Sequence, residues 1–191
     1  MKKLADEIVR GDAPERAFAL LEKASRSKDY WERYYSIVFL GEVAQSTQRF
    51  RAGSVEILLE NLPKSDQPTQ RAIISAVRDI GPQAVDLALP HLVAFVRTKQ
   101  EKDVAWFSAQ AIGRVKDDSN AQLAIDTLIE GLDCTPPHGY PKDAPQLRRY
   151  CLDSLRQVAA WKPELVRARL SARTPGNDSS FEDEIRKLAT P

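Results

Sequence analysis

The chain has 191 residues, 42% hydrophobic and 29% charged, with 28 basic and 27 acidic side chains and a net charge of +1. That balance belongs to a globular chain long enough to bury a continuous core. It excludes the strong positive field of a dedicated nucleic-acid or acidic-membrane binder and leaves room only for a local patch.

The N-terminal stretch Met1-Lys-Lys-Leu-Ala-Asp-Glu-Ile-Val-Arg10 predicts a short helix over about 2–10. Asp6, Glu7 and Arg10 interrupt its apolar residues, so it does not read as a secretory signal. No run approaches the roughly 18 apolar residues of a membrane span, and a cytoplasmic location is expected. Asp12-Ala-Pro-Glu15 offers a capping aspartate, an early proline and a glutamate three residues on, ahead of Ala17, Phe18, Leu20 and Leu21. Ser54 precedes Val55, Ile57, Leu58 and Leu59. Gly81-Pro82 ends one helix and opens the next, and Pro90 within that pattern is expected to kink or break it. Ser119 or Asp118 opens a helix carrying Leu123, Ile125, Leu128 and Ile129. Ser179-Ser-Phe-Glu182 reads as a capping box.

The periodicity is helical throughout and nowhere alternates like a strand. It predicts antiparallel helix pairs, with first helices over about 13–25, 52–62, 83–98 and 119–131. Second helices fall over about 29–45, 67–80, 101–116 and 146–160, and two more helices over about 163–173 and 179–189 form a degenerate fifth pair that caps the end. Four second-helix segments superimpose: Arg33-Tyr-Tyr-Ser-Ile-Val-Phe-Leu-Gly41-Glu-Val43, Gln70-Arg-Ala-Ile-Ile-Ser-Ala-Val-Arg78-Asp-Ile80-Gly81, Ala105-Trp-Phe-Ser-Ala-Gln-Ala-Ile-Gly113-Arg-Val115 and Arg148-Arg-Tyr-Cys-Leu-Asp-Ser-Leu-Arg156-Gln-Val158. Aligned on Leu40, Val77, Ile112 and Leu155, they are 37, 35 and 43 residues apart. A two-helix unit of this length buries its apolar face only against its neighbours, so the expected fold is an all-α solenoid. The long step contains Leu132-Asp-Cys-Thr-Pro-Pro-His-Gly-Tyr-Pro-Lys-Asp-Ala-Pro-Gln146, whose prolines exclude a helix. Loops of that length serve function more often than short ones, although long loops also cost little entropy.

These segments resemble the second helix of HEAT repeats, particularly the short bacterial kind, whose pattern is close to Val-Arg-x-x-Ala-x-x-Ala-Leu-Gly-x-Ile-Gly. Phe39-Leu40-Gly41-Glu42-Val43 and Ala111-Ile112-Gly113-Arg114-Val115 match its end. Ala76-Val77-Arg78-Asp79-Ile80-Gly81 keeps only the last glycine, and Ser154-Leu155-Arg156-Gln157-Val158 loses both. The resemblance spans about residues 12–160 and treats 1–191 as one domain. The implied repeats lie over about 12–45, 50–81, 83–116 and 119–160, in a right-handed α-solenoid of four to five antiparallel pairs whose second helices line the concave side. It implies little about function, because such repeats serve many roles.

The helical period assigns Tyr35, Phe39, Leu40 and Val43 to a core stripe, with Ile73, Ala76, Val77 and Ile80 in the second segment. The later segments supply Ser108, Ala111, Ile112 and Val115, then Cys151, Ser154, Leu155 and Val158. The opposite stripe holds the candidate partner-binding residues. It carries Tyr34, Val38 and Gly41 beside Glu42, then Arg71, Ser75 and Arg78 beside Asp79. Trp106, Gln110 and Gly113 follow beside Arg114, and then Arg149, Asp153 and Arg156. His138 and Tyr140 in the 132–146 loop are a second candidate contact. Arginine beside an exposed aromatic is the composition of an interaction hot spot. Trp106 reads equally well as groove or core. Residues 142–173 carry eight basic and three acidic side chains, a surface suited to an acidic partner.

No nucleotide-cradling glycine loop, nucleophile elbow or zincin motif occurs. His91 reads as structural. His138 lies four residues after Cys134 without further ligands at metal spacing, so neither metal nor cofactor is expected. Cys134 and Cys151 are too few for a disulfide framework and read as thiols. The expectation is a non-enzymatic module holding one protein partner, as a small bacterial inhibitor such as an immunity protein does with a toxin. A second reading is a DNA-lesion binder like the HEAT-like alkylpurine DNA glycosylases, with Trp106, Asp153, Arg149 and Arg156 pressed into service. A third is a lyase-type or assembly accessory protein.

Overall fold

The computed structural model describes residues 1–11, 13–98, 102–133, 144–176 and 179–190. Among them are eleven α-helices, one short 3-10 turn and no strand, and the helices pack against their neighbours. The chain divides into two compact units, Met1–Ala84 and Val85–Pro191. The four aligned segments fall on α3 and α5 of the first unit and α7 and α9 of the second.

The first unit holds α1 (Lys2–Arg10), α2 (Pro14–Ser25), α3 (Tyr30–Ser46), α4 (Gln48–Asn61), the turn Leu62–Lys64 and α5 (Gln67–Ile80). Helix α3 is its centre and packs on α1, α2, α4 and α5. Leu21, Ile37, Leu40, Leu58, Ile73, Ile74 and Val77 are fully buried here. Each such side chain contributes about 1.5–3 kcal/mol relative to exposure. The side chains of Asp29 and Asp66 cap α3 and α5, accepting from the amides of Glu32 and Thr69. Asp12, expected to cap α2, lies outside the described residues; the helix begins with Pro14 in its first turn.

Helix α4 starts six residues before Ser54. The cause is aromatic. Phe50 stacks on Phe18 of α2 with ring centroids 4.9 Å apart, and Arg51 Nε donates to the Ala44 carbonyl near the end of α3 at 2.8 Å. These contacts carry the helical pattern a turn upstream, and Ser54 is a buried residue within α4.

The second unit contains most of α6 (Pro82–Thr98), with α7 (Lys102–Ile112), α8 (Asp118–Leu132), α9 (Ala144–Ala159), α10 (Pro163–Ser171) and α11 (Ser179–Ala189). Helix α6 runs through Pro90 unbroken. Proline deprives the carbonyl four residues back of its donor, which here is that of Asp86. Asn120 Nδ2 lies 3.4 Å from this oxygen and donates to it. The Asp86 carboxylate also accepts from the amides of Lys116 and Asp117 at 3.4 and 3.2 Å. One residue of α6 therefore tolerates the proline and holds the turn into α8. Helix α7 ends at Ile112, four residues short of the sequence reading, in a tight turn where Arg114 and Val115 amides bond to Ala111 and Ile112 carbonyls. Asp117 caps α8, accepting from the Ser119 amide at 2.8 Å and its hydroxyl at 2.6 Å. The Ser119 hydroxyl, then its amide, lowers the Asp117 pKa.

The C-terminal helices continue the packing, with α10 against α8, α9 and α11. Arg169 of α10 grips Asp126 of α8 with both ends of its guanidinium. Glu182, read from sequence as half of a capping box, is instead 7% exposed. It accepts from both Arg173 terminal nitrogens at 2.7 and 2.8 Å and from the Gly176 amide at 2.9 Å. Arg173 also bonds Asp133 at the end of α8, so one nearly buried guanidinium ties α8 and the α10–α11 turn to α11. Among the described residues no helix is long and apolar enough to cross a membrane.

Candidate functional site

Within each unit, a glycine sets the distance between the aligned helices. A Cβ built on Gly41 of α3 would lie 2.7 Å from the Ala76 methyl on α5. One built on Gly113, in the turn that follows α7, would lie 2.9 Å from Ser154 Cβ on α9 and 3.0 Å from its Cα. These glycines were placed on the candidate stripe by sequence. Both are buried, and both serve the helix–helix contact. Each faces a small residue one position before the aligned apolar anchor of the next segment, so the same glycine-to-small contact occurs in both units.

In the first unit the start of α3 carries four aromatic side chains, Tyr30, Trp31, Tyr34 and Tyr35. Positions i and i+4 lie one above the other on a helix, which sorts the rings into two columns. Tyr30 and Tyr34 stack at 6.0 Å and 19°, and Trp31 and Tyr35 at 5.9 Å and 25°. Between columns the rings meet edge to face, at 74° for Tyr30 and Trp31, 88° for Trp31 and Tyr34 and 77° for Tyr34 and Tyr35. Tyr30 and Tyr34 are half-buried, whereas Trp31 is 60% and Tyr35 46% exposed. Tyr35 was expected in the core; its ring instead packs on Trp31 at the surface. Arg33 lies over the Tyr30 ring at 5.8 Å and donates to the Ser27 carbonyl at 2.8 Å. On α5, Arg71, Ser75 and Arg78 are half-buried and Asp79 is exposed. Arg78 Nε donates to Asp79 Oδ1 at 2.9 Å.

In the second unit Trp106 is half-buried against Tyr150 of α9, with centroids 6.3 Å apart, and Gln110 is half-buried one turn on. Arg114 is exposed. Arg149 and Arg156, which both pair with Asp153, converge on a residue not singled out from sequence, Glu184 of α11. Arg149 reaches it at 2.9 Å and Arg156 at 2.8 Å, while Asp153 lies 3.5 Å from Arg149 and 2.7 Å from Arg156. Hydrogen bonding to Arg156 is the main cause lowering the Glu184 pKa, and hydrogen bonding to Glu184 the main cause raising that of Arg156. Two arginines and two carboxylates sum to zero charge, and Glu184, from outside 142–173, offsets one of the five net positive charges read there. His138, Tyr140 and Cys134 lie outside the described residues. Among the described residues no group of three or more His, Cys, Asp or Glu side chains could hold a metal ion.

The sequence reading named Tyr34 but missed Tyr30 and Trp31. The available signal was the spacing Tyr30-Trp31-x-x-Tyr34-Tyr35, which repeats an aromatic pair one turn apart. Glu184 had no such signal, because its role depends on where α11 docks.

No protein-family model and no characterised protein matches this chain. Among solved structures, it is similar to an engineered protein whose crystal structure came from the Northeast Structural Genomics Consortium. The identity is 18%, the match covers 98% of this chain and 86% of that one, and the TM-score is 0.60. At that identity the likeness concerns the fold alone.

Proposed function

We propose that this chain is a non-enzymatic protein-binding module built from HEAT-like helix pairs, and that it holds its partner on the face led by the aromatic start of α3. The observation carrying this reading is the four-ring cluster with Trp31 60% and Tyr35 46% exposed. Tryptophan and tyrosine are enriched at the energetic centres of protein interfaces, and large rings left in water gain most when a partner covers them. The glycine-to-small contact, repeated in both units, supports the HEAT-like pairing. Arg71, Arg78 and Asp79 of α5 belong to the same unit as the ring cluster. The Trp106, Gln110 and Arg114 row is the corresponding surface of the second unit. No observation favours the DNA-lesion reading, because Arg149 and Arg156 are already engaged by Asp153 and Glu184.

The test is affinity capture from lysate of the source organism, comparing the wild type with Trp31→Ala/Tyr35→Ala and with Arg149→Glu/Arg156→Glu. One protein retained by the wild type and by the arginine variant, but lost from the aromatic variant, supports the proposal. Retention of that protein by the aromatic variant sinks it.

A further inference from the structure

We propose that α11 is a displaceable ligand bound in cis, and that the arginine face it covers in the second unit is a docking site for an acidic amphipathic helix of a partner. This site is separate from the α3 surface and stands or falls without it. Helix α11 is held largely by charge. Of its described apolar side chains Ile185 is buried, whereas Phe181 and Leu188 are half-buried. Glu182 accepts from Arg173 and the Gly176 amide. Glu184 accepts from Arg149 and Arg156, and the Arg148 guanidinium lies 4.3 Å from the centre of the Phe181 ring.

Three of these arginines have a second carboxylate on the body of the unit. Asp133, at the end of α8, accepts from Arg173 Nε at 2.8 Å. Asp153 of α9 pairs with Arg149 at 3.5 Å and with Arg156 at 2.7 Å. Stranding a charge is what makes a buried pair costly to break, and departure of α11 leaves none of the three without a counter-ion. The uncovered face would set Arg148, Arg149, Arg156 and Arg173 against Asp133 and Asp153, an excess of two positive charges.

The occupant already in place shows what fits. Phe181, Ile185 and Leu188 recur at the i, i+4, i+7 spacing of one helix face, and Glu182 and Glu184 bring carboxylates to the two arginine sites. A partner segment of that pattern supplies both the apolar stripe and the acids. A phosphate chain supplies only the charge and leaves the place of Ile185 empty. Because α11 is tethered, it competes at high effective concentration, and a partner helix binds only in proportion to the fraction of chains in which α11 is released.

The experiment adds a fluorophore-labelled peptide of residues 179–190, unchanged in sequence, to the intact chain and follows its anisotropy. Glu182→Gln in the chain loosens α11 but leaves the arginine face whole. It should therefore bind the peptide about tenfold or more tightly than wild type does. Glu184→Gln, whose partners are exposed, should move affinity the same way by a smaller factor, and it decides the matter if Glu182→Gln does not fold. Adding Arg149→Glu/Arg156→Glu to either variant should abolish binding, as should replacing both glutamates of the peptide by glutamine. A helix that is merely structural gives no gain in affinity on loosening. The proposal is overturned if wild type and both variants bind the peptide equally or not at all, or if a duplex oligonucleotide binds the loosened chain more tightly than the peptide does. Dimerisation of the loosened chain without peptide binding would also overturn it, in favour of exchange of α11 between copies.

Discussion

Substituting Gly41 by alanine tests the helix contact on which the first unit is built. The new methyl would stand 2.7 Å from the Ala76 methyl and 3.8 Å from the Ala76 Cα. The first distance is a clash against an atom fixed to the backbone, and the second is ordinary contact. Overpacking of this kind costs about 1–3 kcal/mol, while replacing a mid-helix glycine by alanine returns about 1 kcal/mol. Gly41→Ala should therefore destabilise by about 0–2 kcal/mol. Ala76→Gly alone should cost about 1 kcal/mol in helix propensity and about 0.8 kcal/mol for a lost buried methyl. In the double variant the methyl moves from α5 to α3 and the clash disappears. It should be more stable than the sum of the single effects by at least about 1 kcal/mol. Urea unfolding followed by circular dichroism, with hydrogen exchange resolved to α3 and α5, measures the cycle. Additive effects, or a Gly41→Ala chain more stable than wild type, would refute the close-contact reasoning. Gly113→Ala supplies the contrast. Its methyl would meet the Ser154 Cα at 3.0 Å as well as the side chain, so Ser154→Gly should not rescue it.

Glu182→Gln should cost about 3 kcal/mol, the lower end for breaking a buried ion pair, seen as a thermal midpoint lowered by roughly 6–12 °C. Hydrogen bonding to Arg173 depresses the Glu182 pKa, so the stabilisation is complete above the unfolded value of about 4.3 and is lost as pH falls through the lower folded value. A pH series of melts should therefore show a flatter acid limb in Glu182→Gln; an unchanged limb would contradict the assignment. Asn120→Ala should destabilise by about 1 kcal/mol through its bonds to Asp86, and Pro90→Ala should stabilise more strongly in the Asn120→Ala background than in wild type, as denaturant midpoints would report. Glu184→Ala should change the thermal midpoint only slightly, because its partners are solvent-exposed, and the change should shrink in high salt. A larger or salt-independent loss would mean that Glu184 has a packing role.

Most of the helix order could be read from the sequence, because 3.6-residue periodicity and turn chemistry are local properties. Pro14, Gly81-Pro82 and Pro163 mark helix starts that depend on backbone geometry alone, and the core anchors Leu40, Val77, Ile112 and Leu155 follow from the aligned segments. Tertiary structure decided what local rules leave open. Pro90 stays within α6 because Asn120, thirty residues away in sequence, donates to the Asp86 carbonyl. Glu182 leaves its expected capping role for Arg173, because a nearly buried guanidinium demands a carboxylate. Gly41 and Gly113 face neighbouring helices, since helical period gives a residue's angle on its own helix but not which angles a neighbour covers. The candidate site divides the same way. The aromatic pairs of α3 lie in plain sequence view, but their exposure, like the neutralisation of Arg149 and Arg156 by Glu184, depends on the packing of separate helices, and that is a property of the folded chain.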